Sequence, residues 1–210
     1  MKITKVLLTF ILTSFISLVG FSQNIAGSAH DFSTDTWNSG GEICQICHTP
    51  HNAVTLSEAP LWNHEVTTTT FTVYNSTVSP SFTATANQPD GSSKLCLSCH
   101  DGTVAMDNFG GQTTGSNFIS GDHNLGSDLS NDHPVSFVYD TSLATNDGGL
   151  FDPNSASSGL PSGGTIKQDL LLADKLQCSS CHDVHNSAGV TSLLVKSNSG
   201  SALCLTCHNK

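Results

Sequence analysis

The chain has 210 residues, of which only 11% are charged, with a formal net charge of −10. That balance leaves no basic stripe, which excludes nucleic acid as a partner, and it argues against docking on anionic lipid. Gly, Ser, Thr and Asn dominate, so the chain reads as loop-rich and too poor in apolar side chains to bury a large core unaided.

The chain begins with two lysines, Lys2 and Lys5, ahead of an apolar run from Val6 to Phe21. Gly20-Phe21-Ser22 then offers small residues for cleavage, which predicts a secretory signal peptide over residues 1–22. The run is short for a membrane span, and no basic stop-transfer cluster follows it. The mature chain from Gln23 is therefore expected to be exported and soluble, with no membrane span.

Every cysteine then falls in one of four copies of Cys-x-x-Cys-His: Cys44/Cys47/His48, Cys96/Cys99/His100, Cys178/Cys181/His182 and Cys204/Cys207/His208. Eight cysteines in an exported chain also fit two zinc sites or four disulfides with 105 connectivities. Neither scheme requires a histidine after the second cysteine each time. Covalent haem attachment does: two thiols bond the vinyl groups and the histidine reaches the iron. Four motifs predict four covalently bound c-type haems, with His48, His100, His182 and His208 as proximal iron ligands. Flat apolar porphyrins then substitute for core, and without them the chain is expected to be mostly unfolded.

The motifs repeat in the order A, B, A, B. Cys44-Gln-Ile-Cys-His-Thr-Pro-His-Asn52 matches Cys178-Ser-Ser-Cys-His-Asp-Val-His-Asn186, and Leu95-Cys-Leu-Ser-Cys-His100 matches Leu203-Cys-Leu-Thr-Cys-His208. This predicts two repeated dihaem halves, 23–117 and 118–210, forming one compact unit. The expected fold is mostly irregular, with a few short α-helices packed around haem. The motifs are expected in short helical turns, a helix over 169–177 running into Cys178, and a short strand over 67–74. Residues 108–130 and 147–164 read as loops. Asp122, Asp128 and Asp132 fit no calcium-loop spacing and read as solvated.

A sixth ligand to each iron is expected, usually His or Met. Of ten histidines, four lie in the motifs, leaving six: His30, His51, His64, His123, His133 and His185. The repeat selects His51 with His185, and His30 with His133, as distal ligands. His64 and His123 have no counterpart and read as ordinary core or surface histidines. A histidine three residues past a motif cannot reach the opposite face of the same iron. His51 is therefore expected to serve the haem on Cys96/Cys99, and His185 that on Cys204/Cys207. His30 and His133 would serve those on Cys44/Cys47 and Cys178/Cys181. Bis-histidine ligation implies low potentials.

Several stretches, including ones outside the haem motifs, resemble the doubled-CxxCH multihaem cytochromes. The closest resemblance is to the tetrahaem subunits of extracellular cytochrome nanowires. They are Ala29-His30-Asp31, Cys47-His48-Thr49-Pro50-His51-Asn52-Ala53, Pro60-Leu61-Trp62-Asn63-His64, Cys99-His100-Asp101-Gly102-Thr103-Val104-Ala105 and Asp132-His133-Pro134-Val135-Ser136. The resemblance implies subunits that polymerise into filaments with continuous stacked haems, in which a histidine of one subunit can ligate a haem of the next. It implies electron transfer outside the cytoplasm, with redox partner proteins and self-association. His208, two residues from the end of the chain, is expected to place its haem at one end of the molecule. A soluble shuttle and a multihaem reductase are the competing expectations. The reductase needs an iron with an open position, and six spare histidines leave no obvious vacancy.

Overall fold

The computed structural model describes residues 25–56 and 61–209; the expected signal peptide lies outside them. Within them the chain is loop-rich. Its helices are α1 (Gly91–His100), α2 (Thr141–Asp147), α3 (Ile166–Leu170) and α4 (Cys204–Cys207), with 3-10 turns at Gly121–His123, Cys178–Ser180, Thr191–Leu193 and Ser199–Ser201. One two-stranded antiparallel sheet joins β1 (Phe137–Val138) to β2 (Lys175–Leu176), pairing Phe137 with Leu176.

Local signals explain the helix ends. The Asp140 side chain accepts from Leu143 N at the start of α2, and Gly148, at φ 69°, closes it in the left-handed region. A capping box, Thr165 with Gln168, starts α3. The expected helix over 169–177 does not form: α3 ends at Leu170. Ala173 and Asp174 take φ 51° and 61°, and Leu172 and Lys175 exchange both backbone hydrogen bonds across them, at 3.0 and 3.1 Å. This two-residue turn has positive φ at both positions, and it lets Leu170 and Leu176 reach the same core from opposite sides. That core holds Phe137, Tyr139, Ala144, Ile166, Leu170 and Leu176.

The expected strand over 67–74 is extended chain with a single bridge, Thr72 to Asp128. Instead of a strand partner, the Gln88 amide pairs with Phe71, donating to its O and accepting from its N, both at 2.8 Å. Phe71 is thereby held against Leu97 and Leu129 in a second, smaller cluster. The loops expected over 108–130 and 147–164 are present, apart from the 3-10 turn at Gly121–His123.

The two haem-motif segments nearest the middle of the chain are bound together. Ser93 Oγ accepts from Cys178 N at 2.9 Å, and the hydroxyls of Ser92 and Ser179 meet at 2.7 Å. Asp90, ahead of α1, pairs with Lys175 and accepts from Gln177 Nε2 at 2.9 Å. Burial opposes ionisation of Asp90, but hydrogen bonds from Lys175, Gln177 and Ser136 outweigh it and hold the carboxyl below its ordinary range. The clamp therefore stabilises the fold above the usual carboxylate range and is lost as pH falls through the lowered value. Asp90→Ala strands the buried Gln177 amide and is expected to cost about 1–3 kcal/mol at neutral pH. Urea unfolding of the haem-loaded protein at pH 7 and pH 3 checks this: the deficit should shrink at the lower pH.

Candidate haem-binding sites

Each motif closes a single turn that brings two thiols and an imidazole to one side. His48 N, His182 N and His208 N donate to the carbonyls of Cys44, Cys178 and Cys204 at 2.8, 3.0 and 3.0 Å. Cys96 to His100 forms the last part of α1.

The two A-sites repeat in detail. Cys47 O accepts from Asn63 N and Cys181 O from Val195 N, both at 3.0 Å. Thr49 N donates to Leu61 O, as Asp183 N does to Leu193 O. The same positions turn left-handed in both copies: Asn52 and Asn186 at φ 57° and 54°, Leu61 and Leu193 at 51° and 55°. A leucine in that region is strained, and its recurrence at matched positions marks a loop whose shape is fixed by its surroundings. The B-sites share a smaller device. Ser98 Oγ donates to Lys94 O, and Thr206 Oγ1 to Ala202 O, each four residues back.

All eight thiols are free, with no disulfide among them. Burial pushes Cys47 up to about 11, Cys99 to about 12 and Cys207 to about 11, so these remain neutral thiols at neutral pH. The Cys96 and Cys178 thiols act on each other, which raises the first and lowers the second. Among the described residues no three Cys, His, Asp or Glu side chains gather as a zinc site requires.

The histidine rings provide the sharpest geometry. His30 faces His100 with ring centres 6.1 Å apart, His48 faces His185 at 6.2 Å, and His133 faces His208 at 6.3 Å. Two imidazoles sharing one metal atom, with metal–nitrogen bonds of about 2.0–2.1 Å and about 1.1 Å from nitrogen to ring centre, stand about 6.2–6.4 Å apart. Three pairs thus have the separation that an iron atom between them requires. Several of these rings are also oriented from behind. Nδ1 of His100, His182 and His133 donates to the carbonyls of His123, Ser192 and Pro134 at 2.8, 3.0 and 3.0 Å. A carbonyl only accepts, so Nδ1 carries the proton and Nε2 is left to coordinate. His30 is pushed down to about 4, mainly by burial, with His100 and His182 adding to it, so it is neutral at neutral pH. Phe32 meets its ring at 6.0 Å, Trp37 meets Phe32 at 5.4 Å, and Phe109 meets Trp37 at 6.5 Å, which anchors this segment on the body of the protein.

These pairings differ from those expected from the sequence. His30 sits at His100 and not at His48, His185 at His48 and not at His208, and His133 at His208 and not at His182. The expectation took each A-site to lend its histidine to the next motif along the chain. The clamp between α1 and Cys178–Ser180 interleaves the halves instead, setting the second A-site against the first. Among the described residues neither His51, which is exposed, nor His182 is brought to a second ring.

His64 is fully buried, with Nδ1 2.8 Å from Glu65 O, Nε2 3.1 Å from Ala105 O, and Cys99 Sγ 3.6 Å from Nε2. His123 exposes its ring and contributes only its carbonyl. The carbonyls that orient the rings have no sequence signature, because any residue supplies one. Trp62, edge-on to His48 at 6.5 Å, could have been found from its place in the repeated A-site loop.

A cleft at Cys178 is walled mainly by apolar side chains, among them Val73, Leu97, Leu125 and Leu129, with Asp132 and His133 also on its lining, and its apolar wall is suited to a porphyrin face. Taken with the free thiols and the ring spacing, the residues present fit c-type haem. Among the described residues no helix is long and apolar enough to cross a membrane.

Residues 172–210, which carry the third and fourth motifs, match the model of the doubled CXXCH motif. The match supports a multihaem c-type cytochrome, a class of electron-transfer protein. No curated protein matches the chain.

Proposed function

We propose that this protein is a tetrahaem c-type cytochrome that carries electrons outside the cytoplasm, as a subunit of a polymeric filament. The observation that carries the tetrahaem reading is the set of three histidine pairs at the spacing of one metal atom. Each of the four thiol pairs would hold one haem covalently, with His48, His100, His182 and His208 on one face of the irons. His185, His30 and His133 would take the opposite faces at the first, second and fourth sites. The A-site repeat assigns His51 to the third. Since His185 of the second half faces His48 of the first, the equivalent residue of the first half belongs at His182. The group supplies one-electron chemistry; the chain holds it, orients its ligands and covers its faces. No catalytic role is assigned to the chain.

Two features favour polymerisation. The outer cysteines of the first and last motifs, Cys44 and Cys204, are exposed, while the other six are partly covered. Apolar side chains at these two motifs also stand in solvent, Leu61 at 55% and Leu205 at 46% exposure. Negative-stain microscopy of the haem-loaded secreted protein tests the filament. Long fibres are expected, whereas dispersed monomers at high concentration would favour the soluble shuttle. A reductase has one foothold, the ring-free face of His182. There His51→Ala separates the readings: a bound His51 predicts one new high-spin iron, and an open site predicts none.

A further inference from the structure

The two B-sites are equivalent in sequence but have opposite charges beside them. After His100 comes Asp101, a carboxylate only 4% exposed. It accepts from Thr103 N and Thr103 Oγ1, both at 2.8 Å, and from Thr67 Oγ1 at 2.5 Å. After His208 comes Asn209, which is neutral and exposed. Eight residues before Cys204 lies Lys196, half-buried; eight before Cys96 lies Gln88, whose amide is spent on Phe71. Lys196 Nζ donates to Thr206 Oγ1, inside the fourth motif, and to Ser158 O, both at 3.1 Å. Both partners are neutral. Lys167 and Lys175 by contrast are paired with Asp174 and Asp90. In a chain with seven basic residues, a cation with no carboxylate partner among the described residues, hydrogen-bonded to a threonine of a haem motif, is a specific feature.

Lys94 sits two residues before Cys96 on α1, a spacing that turns side chains to different faces. Asp152 is engaged elsewhere, accepting from Thr141 Oγ1 at 2.7 Å and from Asn154 N at 3.0 Å.

Resting on the tetrahaem reading, we infer that Asp101 and Lys196 set the two B-sites at different reduction potentials, with the Cys204/Cys207 site the higher. A buried anion beside a haem favours its oxidised, more positive state, and a cation favours the reduced one, because net charge is one of the protein's levers on potential. An electron shared between the two sites therefore collects at the fourth. That iron is reduced as the second is oxidised, with no atom transferred. Lys196 acts through the field and is a tuning residue, not a ligand.

Spectroelectrochemical titration of the secreted, haem-loaded protein tests this, with intact mass to count haems. The double variants Cys204→Ala/Cys207→Ala and Cys96→Ala/Cys99→Ala each remove one couple, and the couple removed by the first should lie at the higher potential; the reverse order overturns the inference. Lys196→Gln should shift the Cys204/Cys207 couple to lower potential and leave the other three in place, with Lys196→Arg restoring it. If the Gln variant moves no couple, or moves all four alike, the inference is overturned even though the protein carries its haems. A wild-type protein without haem would overturn the tetrahaem reading, and the inference with it.

Discussion

Replacing His185 with alanine is expected to turn one iron in four high-spin, and that iron is the one at His48, in the other half of the chain. The two rings lie 6.2 Å apart and nearly parallel, with an interplanar angle of 12°. Asp183, two residues before, accepts from His185 N at 3.0 Å and fixes the loop from which the ring projects. Burial works against ionisation of Asp183, but its hydrogen bonds from Ser187 and from His185 N prevail and hold its carboxyl below the ordinary range. Removing the imidazole takes away a strong-field ligand and leaves haem covalently attached. Optical and paramagnetic resonance spectra should therefore show full haem content with about a quarter of it high-spin. Location is read in a background lacking Cys44 and Cys47: there His185→Ala should change nothing. A change at the His208 site instead would restore the neighbour-lending scheme and contradict the interleaved one.

A chain unable to attach haem, with the eight motif cysteines replaced by alanine, is expected to show no cooperative unfolding transition at all. Of the fourteen buried apolar residues among those described, only nine gather into clusters, one of six residues and one of three. No disulfide supplements them among the described residues, and the longest helix there has ten residues. Small scaffolds with so little core depend on a bound group for stability. The His30 ring shows the dependence locally: its Nδ1 is buried without a hydrogen-bond partner, a cost that only a compensating interaction elsewhere on the ring offsets. Circular dichroism during urea titration gives the measurement. A sigmoidal transition in the haem-free chain would show that the protein core suffices.

The motif turns, the loop-rich character and the A-site repeat were legible because each rests on local chemistry. Cys-x-x-Cys-His closes one turn on its own, and the repeated Cys-His-x-x-His-Asn word came with the same left-handed asparagine in both copies, Asn52 and Asn186. The partners of the distal histidines were not legible. His185 reaches His48 only because Ser93, Gln177 and Asp90 draw the second A-site onto α1, and these contacts span 84 to 87 residues. The missed turn at Ala173-Asp174 has the same kind of cause. Its residues are not the Asn-Gly that such turns favour, so four leucines in a row of nine read as a helix. The carbonyls behind His100, His133 and His182 come from backbone that no residue type announces.

The claim that bears everything else is four haems per chain, each iron held by two histidines. Intact-mass spectrometry of the secreted protein, paired with spin quantification on the same sample, tests it most directly. The account predicts a mass increment of four haems and four low-spin irons per chain. An increment of three or fewer, or a native population of high-spin iron, would contradict it.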